Sequence, residues 1–258
     1  MPLNEIEKEL IWKRTEDDRA KFLPAGIRTM ANALSKAVQP VRDVIQHFTS
    51  TANLREQAPK KIDVDAIRQG YLELYLGTLP KFAEQRFQQL KKSIDDDYVI
   101  KDEHLEDLWI EYTRRYVKYG IEDRIVGVSK TTEKRIRAIL SKGIDDGLSI
   151  DDIAGQLDEL GLDDIIYNRS RVIARTEIIN ASNKGSIVGA RSTRLNLDKI
   201  WIRTYDSRTR YAHQIEETVP IAQPFIKTGE DLDYPGDPGG SAWNVCQCRC
   251  TQAFQVKK

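Results

Sequence analysis

The chain has 258 residues, of which 40% are hydrophobic and 31% are charged, a composition typical of a folded protein with one large or two modest domains. Its 40 basic and 40 acidic residues cancel, which excludes a global field that would attract nucleic acid or membranes. No apolar run approaches the roughly 18 residues of a transmembrane helix, so we expect no membrane partner. We also expect no signal peptide, because no charged segment followed by an apolar one opens the sequence.

The first two thirds of the sequence are predicted to be helical. Apolar residues recur at steps of three and four in two early stretches, at about residues 3–19 and 27–48. The second stretch is typical of a bundle helix or a short coiled-coil seam, and Pro40 is able to bend it. Residues 50–61 are small and polar, and are predicted to form a loop.

Further helices are predicted along the middle of the chain. A long helix covers about residues 63–92, and Pro80 should kink it because proline removes an internal hydrogen bond. A turn is expected at residues 93–97, where three aspartates follow one another. The remaining helices are predicted at about residues 105–119, 131–142 and 149–160, with Ser149 as a capping residue for the last.

A helix predicted at about residues 163–194 is the one strongly basic stretch of the chain. Between residues 169 and 194 it carries a single acid, Glu177, against Arg169, Arg171, Arg175, Lys184, Arg191 and Arg194. These cations could follow the backbone of double-stranded DNA without sequence preference. Alternatively, they pair with the acidic residues at 151–164 inside a helical bundle.

After about residue 194 the sequence changes character. Residues 199–205 alternate and are rich in aromatic and β-branched side chains, which predicts a strand. Beyond it we predict a turn at 207–213 that Asp206 can cap, an irregular or edge segment at 219–226, a glycine- and proline-rich loop at 229–240, and a closing strand at 243–256. The predicted fold class is therefore α+β: a mostly helical N-terminal region, then a small mixed or β-rich C-terminal module packed on the long basic helix.

All three cysteines lie in the closing stretch, at the alternate positions Cys246, Cys248 and Cys250. In a straight strand they would point to one face about 6.6–7 Å apart, too far for a disulfide or for a shared metal. A bend at Gln247 or Arg249 would let two thiolates converge on one metal. The alternative is three buried apolar thiols on the core face of the strand.

The clustered thiols, the small glycine-rich module around them and a histidine on a neighbouring turn together indicate a structural zinc site. Its candidate ligands are His213, Cys246, Cys248 and Cys250. Four such ligands would close a zinc tetrahedron and supply folding energy to a module of about 60 residues, which is close to the lower limit for an independent core.

Five pieces of sequence, in this order, resemble the phage Mu F-like minor head (head morphogenesis) proteins of tailed phages and prophages. They are Ala174-Arg175-Thr176-Glu177, the strand with Trp201, Asp206-Ser207-Arg208-Thr209-Arg210 with His213, Tyr234-Pro235-Gly236-Asp237-Pro238, and Cys248-Arg249-Cys250. The resemblance covers about residues 150–254. It divides the chain into a helical region at 1–150, expected to contact portal and capsid, and a Mu F-like domain at 151–258 that ends in the cysteine-rich strand. Cys246 is an additional cysteine before the family's usual Cys-Arg-Cys.

The resemblance implies a minor capsid protein of the virion, assembled in the host cytoplasm and associated with the portal vertex. It implies the portal protein and capsid or scaffold components as partners, and a role in head assembly and in genome packaging or ejection. A zinc-braced nucleic-acid-binding module that contacts packaged DNA is the alternative. We expect no enzymatic activity, since the spacing from His213 to Glu216 is one residue too long for a zinc deaminase and no oxyanion motif accompanies the cysteines.

Overall fold

The computed structural model describes residues 3–93 and 104–257. Eight α-helices lie in these ranges: α1 Glu5–Ile45, α2 Thr51–Gln57, α3 Val64–Lys91, α4 Leu105–Tyr119, α5 Glu122–Asp145, α6 Ile150–Gly155, α7 Asp163–Ser192 and α8 Ala242–Val245. Three strands follow α7, and α8 lies between the second and the third: β1 Leu197–Ile202, β2 Thr218–Pro220 and β3 Thr251–Val256. The predicted α+β class, with helices first and a small C-terminal module, is confirmed. None of the described helices combines the length and the hydropathy needed to cross a bilayer.

The helix predictions hold for α3, α4 and α7. The helix predicted at 131–142 is part of the longer α5, and the one predicted at 149–160 is shorter, because α6 ends at Gly155. Two further predictions need correction. The two early stretches form one helix, α1, which continues through Pro24 and Pro40. The prediction of a loop at residues 50–61 is wrong, because α2 and a short 3₁₀ turn occupy this segment. Burial of Leu54 within α2 stabilises a segment whose polar composition had indicated a loop. The turn predicted at residues 93–97 lies, beyond Ser93, outside the described residues.

The chain forms two compact units that interleave along the sequence. One unit comprises residues 25–73 and 117–174. It contains an apolar cluster to which Val38, Val41, Leu54, Ile136, Leu140, Ile153 and Leu162 contribute fully buried side chains. Ser149 begins α6 with a capping box, since its hydroxyl accepts from Asp152 N while the Asp152 carboxylate accepts from Ser149 N. The division of the chain at residue 150 stays a prediction.

The other unit comprises residues 1–24, 74–116 and 175–258, and it contains the sheet. The strand order is β2-β1-β3, and both pairings are antiparallel. The edge position of the short β2 agrees with its proline, Pro220, since proline cannot donate to a ladder. Ile11 and Trp12 of α1 pack on one face of the sheet, against Ile200 and Ile202. On the other side, Trp201 and Phe225 form a separate apolar cluster together with Cys248 and Cys250.

Candidate functional site

The turn that follows β1 positions the histidine of the site. The Asp206 carboxylate accepts a hydrogen bond from Arg208 N at 2.9 Å, and Thr209 N donates to Asp206 O at 3.3 Å, so Asp206 begins the turn as expected from the sequence. A short 3₁₀ turn, Tyr211–His213, then carries His213 into the interior, where its side chain is 2% exposed.

The cysteine segment connects α8 to β3 and does not itself form a strand. The expectation of a strand at residues 243–256 is therefore wrong for its first half, because β3 begins only at Thr251. Gln247 has a left-handed backbone with φ 55°, and its N–H donates to Thr176 Oγ1 at 3.2 Å. This is one of the two positions at which a bend was expected. The bend breaks the strand alternation that would have kept the thiols apart.

His213, Cys248 and Cys250 form one buried cluster. His213 Nδ1 lies 3.5 Å from Cys248 Sγ and 3.5 Å from Cys250 Sγ, and the three potential ligand atoms lie within 4.8 Å of one another. On the opposite side of the ring, Nε2–H donates to Asn244 Oδ1, which fixes the ring with Nδ1 towards both sulfurs. Trp201 packs edge-on against the imidazole at a centroid distance of 5.4 Å.

The three groups of the cluster shift one another's pKa values. Burial alone would raise the pKa of Cys250, but hydrogen bonds from Cys248 and His213 outweigh it and hold that pKa well below its usual range. The pKa of Cys248 is raised because its thiol donates to Cys250 and because it is buried. Burial lowers the pKa of His213, but the hydrogen bond and the charge of Cys250 outweigh it, so the net pKa of His213 is raised.

This donor set fits a soft metal ion. Two sulfurs and one imidazole nitrogen, with the second ring nitrogen held by an amide oxygen, are the ligands and the supporting contact that zinc prefers in proteins. The structure brings together three of the four predicted ligands. Cys246 is half-buried, follows the end of α8 directly, and lies outside the cluster. All three cysteines are free.

A cavity of about 260 Å³ adjoins the cluster. It is lined by Arg175, Thr204, Arg208, Thr209, Arg210, His213, Gln247, Cys248 and Arg249. Seven of these residues belong to the motifs on which the family resemblance rests, although the chain separates them by up to 74 positions: Arg175, Arg208, Thr209, Arg210, His213, Cys248 and Arg249. The motif residues therefore meet around one cavity, which their order in the sequence could not show.

Two motif residues outside the cavity lining, Asp206 and Thr176, contact residues that line it. Asp206 accepts from both terminal nitrogens of Arg249 and lies 3.5 Å from Arg208 Nη2. This contact with Arg249 lowers the pKa of Asp206 to about 2. Thr176 holds the bend at Gln247, and the Glu177 carboxylate accepts from Tyr75 Oη at 2.7 Å. Arg210, from the same motif as Asp206, donates to Cys246 O. Asn244 also contributes to the site through His213, and no pattern in the sequence had distinguished it.

The six basic residues predicted to contact DNA have different surroundings. Arg169 donates to Val128 O at 3.2 Å, and the Lys184 ammonium lies over the rings of Tyr116 and Tyr234. Lys184 and Arg191 both approach Asp233, at 3.7 and 3.3 Å. Arg171 and Arg194 are exposed, and Arg175 is half-buried at the cavity. Of the six, Lys184 and Arg191 therefore pair with an acid, as the bundle alternative expected. The acid is Asp233 and not one of the acidic residues at 151–164.

Comparison with known proteins agrees with the motifs. The sequence pattern of the family described as Phage Mu protein F like protein matches residues 134–253, which extends the resemblance towards the N-terminus and includes every residue that lines the cavity. No curated protein and no solved structure matches the chain. The family is one of phage head morphogenesis proteins, which are structural components of the virion. Residues 134–253 of this chain therefore carry the sequence pattern of the phage Mu F-like family.

Proposed function

We propose that the chain is a minor component of a tailed-phage head, bound at the portal vertex, and that it acts in head assembly and in genome packaging or ejection. The observation that carries this proposal is the family match over residues 134–253, whose motif residues converge on one buried site. The portal and its neighbouring capsid or scaffold components are the proposed partners.

We place the contact with the portal in the helical N-terminal region. Ile6 and Leu10 lie one turn apart on α1, and their side chains are 73% and 59% exposed. Residues at this spacing share one face of a helix and can enter an apolar groove of a partner. The long amphipathic helices before residue 150 offer further surface of the same kind.

Co-purification of the full-length chain with its cognate portal protein tests this placement. We expect the double variant Ile6→Lys and Leu10→Lys to lose most of the captured portal, because two charges would enter an apolar contact. Ile226→Lys is the matched control, since Ile226 is also 59% exposed but lies in the C-terminal module. Loss of capture by the control, with capture intact in the double variant, would move the interface to that module.

His213, Cys248 and Cys250 are the proposed ligands of a structural zinc ion. Zinc bound to these three residues would have a fourth coordination position that none of the three fills. Its role would be to brace the segment between α8 and β3. We expect protein purified without chelator to contain about one zinc per chain, as structural zinc sites do. Elemental analysis of Cys248→Ser and Cys250→Ser should show its loss, whereas Cys246→Ser should retain it. Equal zinc loss from Cys246→Ser would show that the outer cysteine is a ligand as well.

Contact with packaged DNA is a second candidate function, and it rests on Arg171 and Arg194. Both are exposed, and neither pairs with a carboxylate within the described ranges 3–93 and 104–257. If these two contact phosphates, the logarithm of the affinity should fall with the logarithm of salt at a slope of about −1.8. Binding to a duplex of random sequence, measured from 50 to 200 mM salt, checks the slope. An unchanged affinity in the variant with Arg171→Glu and Arg194→Glu would exclude these arginines.

A further inference from the structure

We propose that the cavity beside the cysteine cluster binds a terminal phosphate group, that is, a phosphate monoester or free phosphate. The proposal goes beyond the portal assignment and does not depend on it. It concerns the cavity defined by Arg175, Arg208, Arg210 and Arg249, which are arginines from three separate segments of the chain.

The charges around this cavity are not balanced. Four guanidinium groups line it, and the carboxylate that contacts them is Asp206, which pairs with Arg249 and approaches Arg208. A second acid that acts on Arg249, Glu16, is itself paired with Arg19 at 2.9 Å. The lining therefore keeps an excess of about three positive charges in a partly enclosed space, where like charges repel more strongly than in water. A bound dianion would relieve this repulsion.

Arg175 has all of its donors available at the cavity. The residue is half-buried, and its guanidinium makes no hydrogen bond or ion pair with any part of the chain that the structure describes. Guanidinium groups in such positions are normally paired. Arg208 is 70% exposed on its side chain and has donors to spare beyond its contact with Asp206. The planar forks of two such arginines match the geometry of phosphate oxygens.

The size and shape of the cavity favour a terminal phosphate over a continuous nucleic-acid backbone. At about 260 Å³ it is smaller than most sites for drug-sized ligands, which start at roughly 300 Å³. The cavity is bounded by α7, by the turn after β1 and by the bend at Gln247, so it is a recess. A recess admits the end of a strand or a free phosphate, whereas a duplex backbone requires an open groove. The excess charge favours a phosphate dianion over a single carboxylate.

Calorimetric titration of the full-length protein with inorganic phosphate, at an ionic strength held constant with chloride, tests the proposal. We expect saturable binding, and we expect Arg175→Gln to weaken it by about tenfold or more, as loss of a charge-assisted bidentate contact does. Arg114→Gln is the control for net charge, because Arg114 is an exposed arginine of α4 away from the cavity. Arg208→Gln gives an independent variant, since its exposed side chain makes misfolding a poor explanation for any loss.

Two single-stranded oligonucleotides of one sequence, with a 5′-phosphate or a 5′-hydroxyl, distinguish the sources of the phosphate. Tighter binding of the 5′-phosphorylated strand, lost in Arg175→Gln, identifies a strand end as the ligand. Binding of inorganic phosphate without preference between the strands identifies free phosphate, and either result supports the site. Absence of saturable phosphate binding together with equal affinity for both strands would overturn the proposal, as would equal weakening by Arg114→Gln.

Discussion

The packing of α3 against α7 depends on two glycines, and this dependence can be tested by adding one carbon atom. A Cβ on Gly189 would lie 2.0 Å from Ala83 O, and a Cβ on Gly185 would lie 2.3 Å from Leu79 O. Both obstructing atoms are backbone carbonyl oxygens, so no change of rotamer can remove the clash. In Gly189→Ala the two helices must therefore separate by roughly 1 Å, which a densely packed interior resists.

The expected cost follows from two opposing terms. Overpacking a well-packed core costs about 1–3 kcal/mol, and the rigid obstruction at Gly189 places this variant at the upper end. Replacing a helical glycine by alanine returns about 1 kcal/mol through helix propensity. We therefore expect Gly189→Ala to lower the free energy of unfolding by about 2 kcal/mol, which corresponds to a fall in Tm of about 4–8 °C for a chain of this size.

Gly77→Ala is the matched control, because Gly77 is also a helical glycine, in α3, and an added Cβ there meets no atom within 4 Å. This control should be as stable as the wild type or more stable by up to about 1 kcal/mol. Urea denaturation followed by far-UV circular dichroism measures all three proteins. Ala83→Gly should not rescue Gly189→Ala, since the obstruction is the carbonyl of residue 83. Equal stability of Gly189→Ala and Gly77→Ala would refute the argument.

Two further predictions concern carboxylates that hold cations. Asp206→Asn should cost about 1 kcal/mol at pH 7, a value reduced because 27% of the side chain is exposed. The contact with Arg249 lowers the pKa of Asp206 from 3.8 to about 2, so this stabilisation is complete above pH 3.8 and is lost as the pH falls towards 2. Urea denaturation should show wild type and variant converging over that interval, and a constant difference would contradict the assignment. Asp233→Ala should cost about 2–3 kcal/mol, because it removes the carboxylate 3.1 Å from the ammonium of the fully buried Lys199 and leaves that charge only the backbone carbonyl of residue 233. Exposed Asp231→Ala should change stability by less than about 0.5 kcal/mol.

The helical part of the fold was largely predictable because periodic apolar residues determine which face of a helix is buried. The spacing predicted α3, α4 and α7 to within a few residues. It failed at Pro24 and at residues 50–61, where local preference and tertiary burial conflict. Burial of Leu54 prevails over the polar composition of α2, which no local rule could have indicated.

At the candidate site, the sequence identified the residue types but not their arrangement. It predicted that a bend at Gln247 or Arg249 would let two thiols converge, and the backbone is left-handed at the first of these two positions. It could not show that Cys246 lies outside the cluster, since alternating spacing treats the three cysteines alike. The convergence of Arg175 with Arg249 is set by the packing of α7 near the cysteine segment, a contact between residues distant in the chain.

The central claim, that this chain is a structural component of the phage head, is tested most directly by quantitative mass spectrometry of purified heads from the phage or prophage that encodes it. The amount of the chain is measured relative to the portal protein and the major capsid protein in heads separated from free protein. A vertex-bound minor component should be present at a number of copies comparable to that of the portal and far below that of the capsid protein. Absence of the chain from both immature and mature heads would contradict the account.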